Sequence, residues 1–280
     1  HQPRRQRQMC IRDRPYFAES AAEFLKKSSG IVFVGSRPPV SFFAYPGKES
    51  YLTPKESKIV ILSSPEQNGL FALNCLVDET DAQKIDKQFL QSKIDDIPKS
   101  GKLDASNLGL LISNLMPEDS IVSDEAATSS FLVTPHALKA KPHDWLCLTG
   151  GSIGQGLPLA IGAAIAKPDR PVITLHGDGG AMYTVQSLWT QARENLNITN
   201  IIFANHSYEI LKIELSRVGA VKTGDRADSM FSLDNPKLDW IKLSESMGVP
   251  CYEPNTVEEF KKIFSACVKE AGPSTILVQI

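Results

Sequence analysis

Two polar residues, Asp178 and Asn205, each come shortly after an apolar run of the sequence. The runs, 172–175 and 200–204, have the composition of buried strands, and glycines surround Asp178. Glycine lets a backbone turn sharply and leaves its amides open to an anion. A carboxylate, an amide oxygen and a loop carbonyl are hard ligands, which Mg²⁺ binds together with phosphate oxygens and water. The two segments are therefore candidates for a magnesium- and phosphate-binding site.

Other phosphate-binding motifs fit the sequence less well. A Gly-Asp-Gly tripeptide alone is common in plain turns. The prediction of a magnesium site therefore depends on the spacing between Asp178 and Asn205, which places them at the ends of successive strands. Glycines also occur in segment 151–156, but not in the G-x-G-x-x-G register of a dinucleotide site, and no acidic strand end follows. The Walker lysine motif is absent from the sequence. Dinucleotide binding is therefore the weaker alternative.

The elements that must position these residues alternate between strands and helices. Apolar runs predict strands at Ile31–Val34, Lys58–Leu62, Ile121–Val122, Trp145–Leu148, Val172–Leu175, Asn200–Ala204 and Thr275–Ile280. Helical periodicity occurs at 17–27, 68–77, 81–93 and 182–192. Such alternation predicts an α/β fold with a doubly wound, mostly parallel sheet and helices on both faces. Ligands of such sheets bind at the carboxyl ends of the strands.

The sequence divides into four parts. Residues 1–14 contain five arginines and one aspartate, and we expect an unstructured leader that is not native to the protein, with a transit peptide or a DNA-binding arm as alternatives. Residues 15–95 hold two strands and three helices, too few for a finished doubly wound sheet, so they predict part of an α/β domain. Residues 96–102 predict a linker, and 103–280 a second α/β domain.

Composition argues against several classes of protein. The 280 residues include 30 Lys and Arg against 32 Asp and Glu, so no basic excess is available to neutralise the phosphates of a nucleic acid. The longest apolar stretch, 157–166, is far shorter than the roughly 18 residues that suggest a membrane span. Five cysteines are scattered and form no CxxC, which favours a reduced, cytoplasmic protein over a disulfide framework.

Taken together, the motifs resemble those of a known family. The segment Gly177-Asp-Gly179, followed after 25 residues by Asn205, resembles the signature of thiamine-diphosphate-dependent enzymes. Segments 150–158, 180–189 and 238–250 are similar to the acetolactate synthase large-subunit group and, within it, to the benzoylformate decarboxylase-like branch. The resemblance covers about residues 15–280. It implies that 15–95 are the second half of a central domain and that 103–280 bind thiamine diphosphate and Mg²⁺.

The resemblance implies a role for each residue that matches the family's motifs. Ligands of Mg²⁺ would be Asp178, the side chain of Asn205 and the backbone oxygen of Ser207. Contacts to the cofactor's diphosphate would come from the amides of Gly179 and Gly180, the hydroxyl of Thr128, and Tyr208.

Other matching positions concern the cofactor's rings and the substrate. The backbone of Gly151 would accept a hydrogen bond from the cofactor's 4′-amino group, and Ile153 would be an apolar wedge beneath the two rings. Ile210 and Leu211 match positions that border the substrate pocket, although core packing explains two apolar residues that open a helix equally well. His206 departs from the family, which usually has a small residue there, and we expect an exposed loop histidine.

The resemblance also implies an activity on 2-oxo acids, by decarboxylation with or without carboligation. The family's activating glutamate lies on an amino-terminal domain of the partner subunit, and no segment here resembles that domain, so no catalytic residue is assigned in this chain. We expect the carboxy-terminal part of a longer enzyme, inactive alone and a homodimer or homotetramer when complete. A benzoylformate-type decarboxylase and a non-catalytic cofactor-binding subunit are the alternatives. FAD binding is left open, and Glu125 is expected to be structural or to support the residues that contact the cofactor.

Overall fold

The computed structural model describes residues Arg4–Arg5, 15–41, 43–83, 96–220 and 224–280. It has two compact units: one comprises Arg12–Phe89 and Arg217–Gly219, and the other His1–Ile11, Leu90–Ser216 and Ala220–Ile280. The strands are β1 (Arg4–Arg5), β2 (Gly30–Val34), β3 (Lys58–Ser63), β4 (Ile121–Glu125), β5 (Asp144–Cys147), β6 (Val172–Gly177), β7 (Ile198–Ala204), β8 (Cys251–Tyr252) and β9 (Ser274–Gln279). The helices are α1 (Ala18–Lys26), α2 (Gly69–Thr80), α3 (Ala105–Leu115), α4 (Ser130–Ala137), α5 (Gly156–Ala166), α6 (Asp178–Ala181), α7 (Ser187–Arg193), α8 (Glu209–Arg217), α9 (Asp225–Ser229), α10 (Trp240–Ser246) and α11 (Val257–Cys267).

The larger unit is built on a seven-stranded sheet in the order β1-β5-β4-β6-β7-β9-β8. The pairings among β4 to β9 are parallel, and β1 pairs antiparallel with β5 at the sheet edge. Every residue of β7 is buried, which explains why a strand covered on both faces has an almost continuous apolar sequence. The predicted fold class, α/β with a doubly wound, mostly parallel sheet, is confirmed.

Alternate residues of β7 belong to two separate apolar clusters. Ile201 and Phe203 share one cluster with buried residues of α3, α4 and α11. Ile202 and Ala204 share the other with buried residues of α5, α7 and α10. A two-residue period is that of a strand, so the sheet has helices on both faces. Burying one large aliphatic or aromatic side chain in such a cluster contributes about 1.5–3 kcal/mol.

The strand order changes direction at β4. The chain runs from β4 to β5 on one side, and then crosses back to β6 on the other side of β4. Ligands of open α/β sheets bind in the crevice at the carboxyl ends of the strands beside such a switch point. The segments that follow β4, β5, β6 and β7 therefore form the edge where a site is expected.

The smaller unit contains α1, α2 and a two-stranded parallel sheet of β2 and β3. The side chain of Asn68 caps α2 by accepting from the amide of Phe71, and the helix ends at Asp81 in a left-handed conformation. The predicted helix at 81–93 lies mostly outside the described residues, because 84–95 are not among them. The division into 1–14, 15–95, 96–102 and 103–280 stays a prediction.

Three elements differ from the predicted pattern. β1 lies within the predicted leader, whose other residues are outside the described part of the chain. β8 is a two-residue edge strand, too short to produce a periodic signal. The single helix predicted at 182–192 is divided into a 3-10 turn, Met182–Thr184, and α7. This turn lets the Thr184 hydroxyl donate to the carbonyl of Gly154 (2.9 Å).

His143, directly before β5, makes a pH-dependent contribution to stability. It is buried, its Nδ1 donates to the Lys141 carbonyl (2.7 Å), and its Nε2 has no hydrogen-bond partner among the described residues. Burial lowers the pKa of His143, although that carbonyl and Asp144 act in the opposite direction. The unfolded chain therefore binds a proton more readily than the folded protein. Stability falls as the pH drops below the unfolded histidine's pKa of about 6.5.

We expect His143→Gln to lose less stability on acidification than the wild type. Glutamine keeps a donor for the Lys141 carbonyl but does not titrate, so its folded and unfolded states bind the same number of protons there. Urea unfolding at about pH 7.5 and about pH 5.5, on either side of the histidine pKa, measures the difference. An equal loss in both proteins would contradict the assignment to His143.

Candidate functional site

Asp178 is a buried carboxylate directly after β6. It is 1% exposed, its Oδ1 accepts from the amide of Gly179 (2.9 Å), and its Oδ2 accepts from the amide of His206 (2.9 Å). Burial raises the pKa of Asp178, although the two amides act in the opposite direction. In the described part of the chain, no Lys or Arg nitrogen lies within 4.0 Å of it, and His206 Nδ1 is 3.9 Å away. A bound cation would compensate this buried charge.

The residues after β7 form a tight turn beside Asp178. His206 has a left-handed backbone (φ 52°), and the side-chain oxygen of Asn205 accepts from the amide of Ser207 (3.1 Å). The Ser207 hydroxyl donates to the carbonyl of Phe231 (3.2 Å). Because the His206 amide is bonded to Asp178, the structure brings together the two segments that hold the three predicted magnesium ligands.

His206 is partly buried, whereas the sequence predicted an exposed loop residue. Its side chain is 18% exposed, and its Nε2 lies 2.8 Å from Oε1 of Gln279. Gln279 is the last residue of β9 and donates to Glu253 (2.8 Å). Since β9 pairs with β7, the end of β9 fixes the imidazole next to the Asp178 carboxylate.

Gly179 and Tyr208 lie against each other. A Cβ atom added to Gly179 would be 2.6 Å from Cε1 of the Tyr208 ring, so only glycine leaves space for the ring. Burial raises the pKa of Tyr208, and the phenol therefore stays a neutral donor at physiological pH. Gly180 follows in the first turn of α6, where a Cβ would be 3.3 Å from Oε1 of Glu125.

Thr128 lies in the turn that follows β4. This 3-10 turn, Ala127–Ser129, begins with a left-handed backbone (φ 51° at Ala127). Asp124, near the end of β4, anchors the turn by accepting from the Ser130 hydroxyl (2.6 Å). Thr128 is half-buried and lies at the same edge of the sheet as the end of β6, since β4 and β6 are parallel neighbours.

Glycines shape the loop that follows β5, residues 149–156. Gly150, Gly151 and Gly154 have φ values of 64°, 68° and 93°, a region that other residues rarely adopt. Ile153 lies in this loop and is 41% exposed. The structure therefore places Ile153 on the surface of the unit and not in an apolar cluster.

A buried carboxylate, that of Glu125, is hydrogen-bonded to the backbone of the same loop. Glu125, the last residue of β4, accepts hydrogen bonds from the amides of Gly154 and Gly156. His176 is its cross-strand neighbour on β6, with Nε2 3.3 Å from Oε2 of Glu125. Burial alone raises the pKa of Glu125, but His176 and the two amides outweigh it and lower the pKa below its usual value. Glu125 is therefore a carboxylate at neutral pH.

The sequence predicted a structural or supporting role for Glu125 and assigned no role to His176. A signal for His176 exists, because it extends the apolar run 172–175 as a polar residue just before the Gly-Asp-Gly segment. No comparable signal existed for the pairing of Glu125 with the loop. Its amide partners are 29 and 31 residues away along the chain, and only the order of the strands brings them together.

Ile210 and Leu211 lie in the first turn of α8, directly after Tyr208. Leu211 is 44% exposed, and no residue of α8 is buried. The structure thus places them beside the turn after β7 and outside the core.

The donor set of this edge has the chemistry of a hard-cation and anion site. The described residues hold no group of three or more His, Cys, Asp and Glu side chains that could bind a metal. One carboxylate, one amide oxygen and one loop carbonyl remain, and Mg²⁺ accepts such a partial set with phosphate oxygens and water. The buried Asp178 charge and the close-packed Gly179 fit that combination.

The fold and this cluster define a doubly wound α/β protein with a candidate metal and anion site at its switch point. More narrowly, the chain belongs to the thiamine pyrophosphate enzymes: the family described as "Thiamine pyrophosphate enzyme, C-terminal TPP binding domain" matches residues 127–278. The family predicted from the motifs is therefore confirmed, and a TPP-binding domain supports thiamine diphosphate as the cofactor.

Proteins similar in sequence include members of both groups that the motifs resemble. The chain is 42% identical over 266 residues to the "Putative acetolactate synthase large subunit IlvX" of Mycobacterium tuberculosis, covering 95% of this chain and 51% of that protein. It is 30% identical over 151 residues to the benzoylformate decarboxylase of Pseudomonas aeruginosa, covering 54% of this chain and 27% of the enzyme. The chain spans about half the length of the first relative.

A solved structure shares the fold. The thiamine diphosphate-dependent 4-hydroxybenzoylformate decarboxylase of Rhodococcus jostii RHA1 superposes with a TM-score of 0.75 at 22% identity. The match covers 95% of this chain and 51% of that structure.

Proposed function

We propose that this chain is the thiamine-diphosphate- and magnesium-binding part of an acetolactate synthase-like enzyme that acts on 2-oxo acids. Asp178 is the observation that carries the proposal. Its carboxylate is buried, is oriented by two amides and lacks a Lys or Arg partner in the described part of the chain. A magnesium ion, which the resemblance to thiamine-diphosphate-dependent enzymes implies, would compensate its charge.

The turn after β7 would complete the metal site. We assign the Asn205 side chain and the backbone oxygen of Ser207 as the other two protein ligands. The bond between the Asn205 oxygen and the Ser207 amide, together with the left-handed His206, holds this turn in one conformation beside Asp178. A rigid turn supports the proposal, because Mg²⁺ demands near-octahedral geometry.

The diphosphate would lie against the amides of Gly179 and Gly180, the Thr128 hydroxyl and the Tyr208 phenol. These groups come from the ends of three neighbouring strands, β4, β6 and β7. Each is a neutral donor and suits an anion. Since neutral hydrogen bonds contribute about 0.5–1.5 kcal/mol each, several of them are needed beside the metal.

Gly151 and Ile153 would orient the cofactor's rings, with the Gly151 backbone accepting from its amino group and Ile153 beneath it. When bound, thiamine diphosphate supplies the electron sink for cleavage next to a 2-oxo group. The chain's own share is to anchor and orient that group. The exposure of Ile153 supports its role, because the side chain has no structural burial to account for it.

We expect Ile153→Ala to weaken thiamine diphosphate binding about tenfold, because a bound ring would bury a side chain worth about 1.5–3 kcal/mol. The melting temperature without cofactor should change little, since the side chain is 41% exposed. Titration calorimetry with Mg²⁺ present measures the affinity. Ile165→Ala on α5, 62% exposed, is the matched control and should leave it unchanged. Equal effects of the two substitutions on affinity would contradict the proposed position of Ile153 beneath the cofactor's rings.

Ile210 and Leu211 would border the substrate pocket, as apolar residues next to the proposed ligand Tyr208. Leu211 is exposed and Ile210 is only half-buried, which supports this assignment over core packing. We propose that the family's activating glutamate is supplied by a region outside these 280 residues and that the complete enzyme is a homodimer or homotetramer. The helices of the described residues lack the length and apolar content to cross a membrane. We propose a cytoplasmic enzyme because the five cysteines are scattered and form no CxxC.

Product analysis tests the proposed reaction. The complete subunit would be given Mg²⁺, thiamine diphosphate and either pyruvate or benzoylformate, and CO₂ and the second product would be measured. Acetolactate from pyruvate is the expected result. Benzaldehyde from benzoylformate alone would favour a benzoylformate-type decarboxylase, which the Pseudomonas relative supports. No CO₂ from either acid would contradict the proposed reaction and favour a cofactor-binding subunit.

A further inference from the structure

The loop of residues 149–156 has few hydrogen bonds of its own. Its internal backbone bonds run from the Ser152 amide to Thr149 and from the Gln155 amide to Ser152, both at 3.3 Å. Three of its glycines adopt left-handed backbones, which cost glycine little and do not select one conformation. One side-chain bond also lies within the loop, from the Thr149 amide to Oε1 of Gln155 (3.2 Å). None of these bonds involves Gly151, Ile153 or Gly154, so contacts from outside the loop must help to hold that part of it.

Two such contacts hold Gly154, and one of them comes from Glu125. The Gly154 carbonyl accepts from the Thr184 hydroxyl, and its amide donates to Glu125, which also accepts from the amide of Gly156. A Cβ on Gly156 would lie 2.9 Å from Cβ of Glu125 and 2.7 Å from Nε2 of His176, so the loop is packed directly on this pair.

Glu125 also reaches the proposed diphosphate-binding turn. Its Oε1 would be 3.3 Å from a Cβ on Gly180, and His176 joins it to β6, two residues before Asp178. One buried side chain at the end of β4 is thus bonded to the loop after β5 and lies beside the turn after β6. These are two of the four segments that line the candidate site.

We propose that Glu125 is a positioning residue that fixes the glycine loop, and thereby the Gly151 backbone and Ile153, relative to the diphosphate-binding turn. This inference rests on the proposed function for its effect on cofactor binding. Its structural part, the restraint of the loop by one carboxylate, stands on the hydrogen bonds alone.

A carboxylate is suited to this role because two amides point at one side chain. Its two oxygens accept from both, and an ionised acceptor makes stronger hydrogen bonds than a neutral one. Glutamine of the same shape offers one oxygen, and its NH₂ group would face the second amide N–H. Alanine would leave both amides without this acceptor.

The test compares Glu125→Gln with Asp144→Asn. Asp144 is a buried carboxylate at the other end of the sheet, paired with Arg170 (2.6 Å), so its substitution destabilises the same unit away from the site. Amide hydrogen exchange of the cofactor-free chain gives the first readout. We expect exchange at Gly154 and Gly156 to be at least tenfold faster in Glu125→Gln and unchanged in Asp144→Asn.

Thiamine diphosphate affinity with Mg²⁺ gives the second readout. Glu125→Gln should bind at least tenfold more weakly than the wild type, and Asp144→Asn within twofold of it. If Glu125→Gln does not fold, Glu125→Asp, which keeps the charge but is one methylene shorter, replaces it in both measurements with the same expectation. Unchanged exchange and affinity in the Glu125 variant would overturn the proposal.

Failure of the proposed function gives a different pattern. If the wild-type chain binds no thiamine diphosphate, no affinity can be measured for it or for the variants, and the proposed function is wrong. Amide hydrogen exchange at Gly154 and Gly156 still shows whether Glu125 restrains the loop. Faster exchange with unchanged affinity would overturn the link between the loop and the cofactor.

Discussion

Asp178→Asn is expected to weaken magnesium-dependent binding of thiamine diphosphate about 100-fold or more. The substitution keeps the shape of the side chain but removes the charge that a magnesium ion would balance. Removing one partner of a buried charge pair costs about 3–5 kcal/mol, and about 1.4 kcal/mol corresponds to a factor of ten. The asparagine NH₂ would also face one of the two amides that Asp178 accepts from.

Calorimetric titration with and without Mg²⁺ measures this loss. Asp169→Asn, in the exposed turn after α5, removes the same charge from the surface and should bind like the wild type. Thermal unfolding without cofactor checks that the Asp178 variant is folded. If the Asp178 variant is folded and its affinity for thiamine diphosphate with Mg²⁺ is within threefold of the wild type, the assignment of Asp178 as a metal ligand is wrong.

Gly109→Ala is expected to destabilise the larger unit by about 3 kcal/mol, at the upper end of overpacking substitutions. Gly109 lies in α3 where it crosses α4. An added Cβ would be 1.8 Å from the carbonyl oxygen of Leu132 and 2.7 Å from its carbon. These are backbone atoms, so the two helices must move apart and lose contacts across their interface.

Gly162→Ala is the matched control, because Gly162 also lies inside a helix, α5, but has no atom within 4 Å of the added Cβ. Alanine should stabilise the chain there by roughly 0.5–1 kcal/mol through its higher helix propensity. Urea unfolding measures both variants. Opposite signs are predicted, and a Gly109 variant as stable as the Gly162 variant would contradict the close packing of α3 on α4.

Much of the sheet could be predicted because its strands are buried on both faces. The runs 172–175 and 200–204 predicted the centres of β6 and β7, which extend two residues further at one end in each case. Alternation of strands and helices then predicted parallel order, and with it the edge that carries Asp178. The segments of the proposed metal site followed from chain-local signals, a glycine turn and a strand end.

The contacts between these segments could not be predicted, because they depend on the order of strands in space. Gln279 lies 73 residues from His206, and only the pairing of β9 with β7 brings it to the imidazole. Glu125 meets Gly154 for the same reason, through β4 and β5. The break of the helix at 182–184 also escaped prediction, since its apolar stripe continues across the 3-10 turn.

The central claim is that this chain binds thiamine diphosphate through magnesium at the end of β6. Calorimetric titration of the chain with thiamine diphosphate, first with Mg²⁺ and then with EDTA, tests it most directly. We predict saturable one-site binding with Mg²⁺ that disappears in EDTA. No binding with Mg²⁺, or the same binding in EDTA, would contradict the claim.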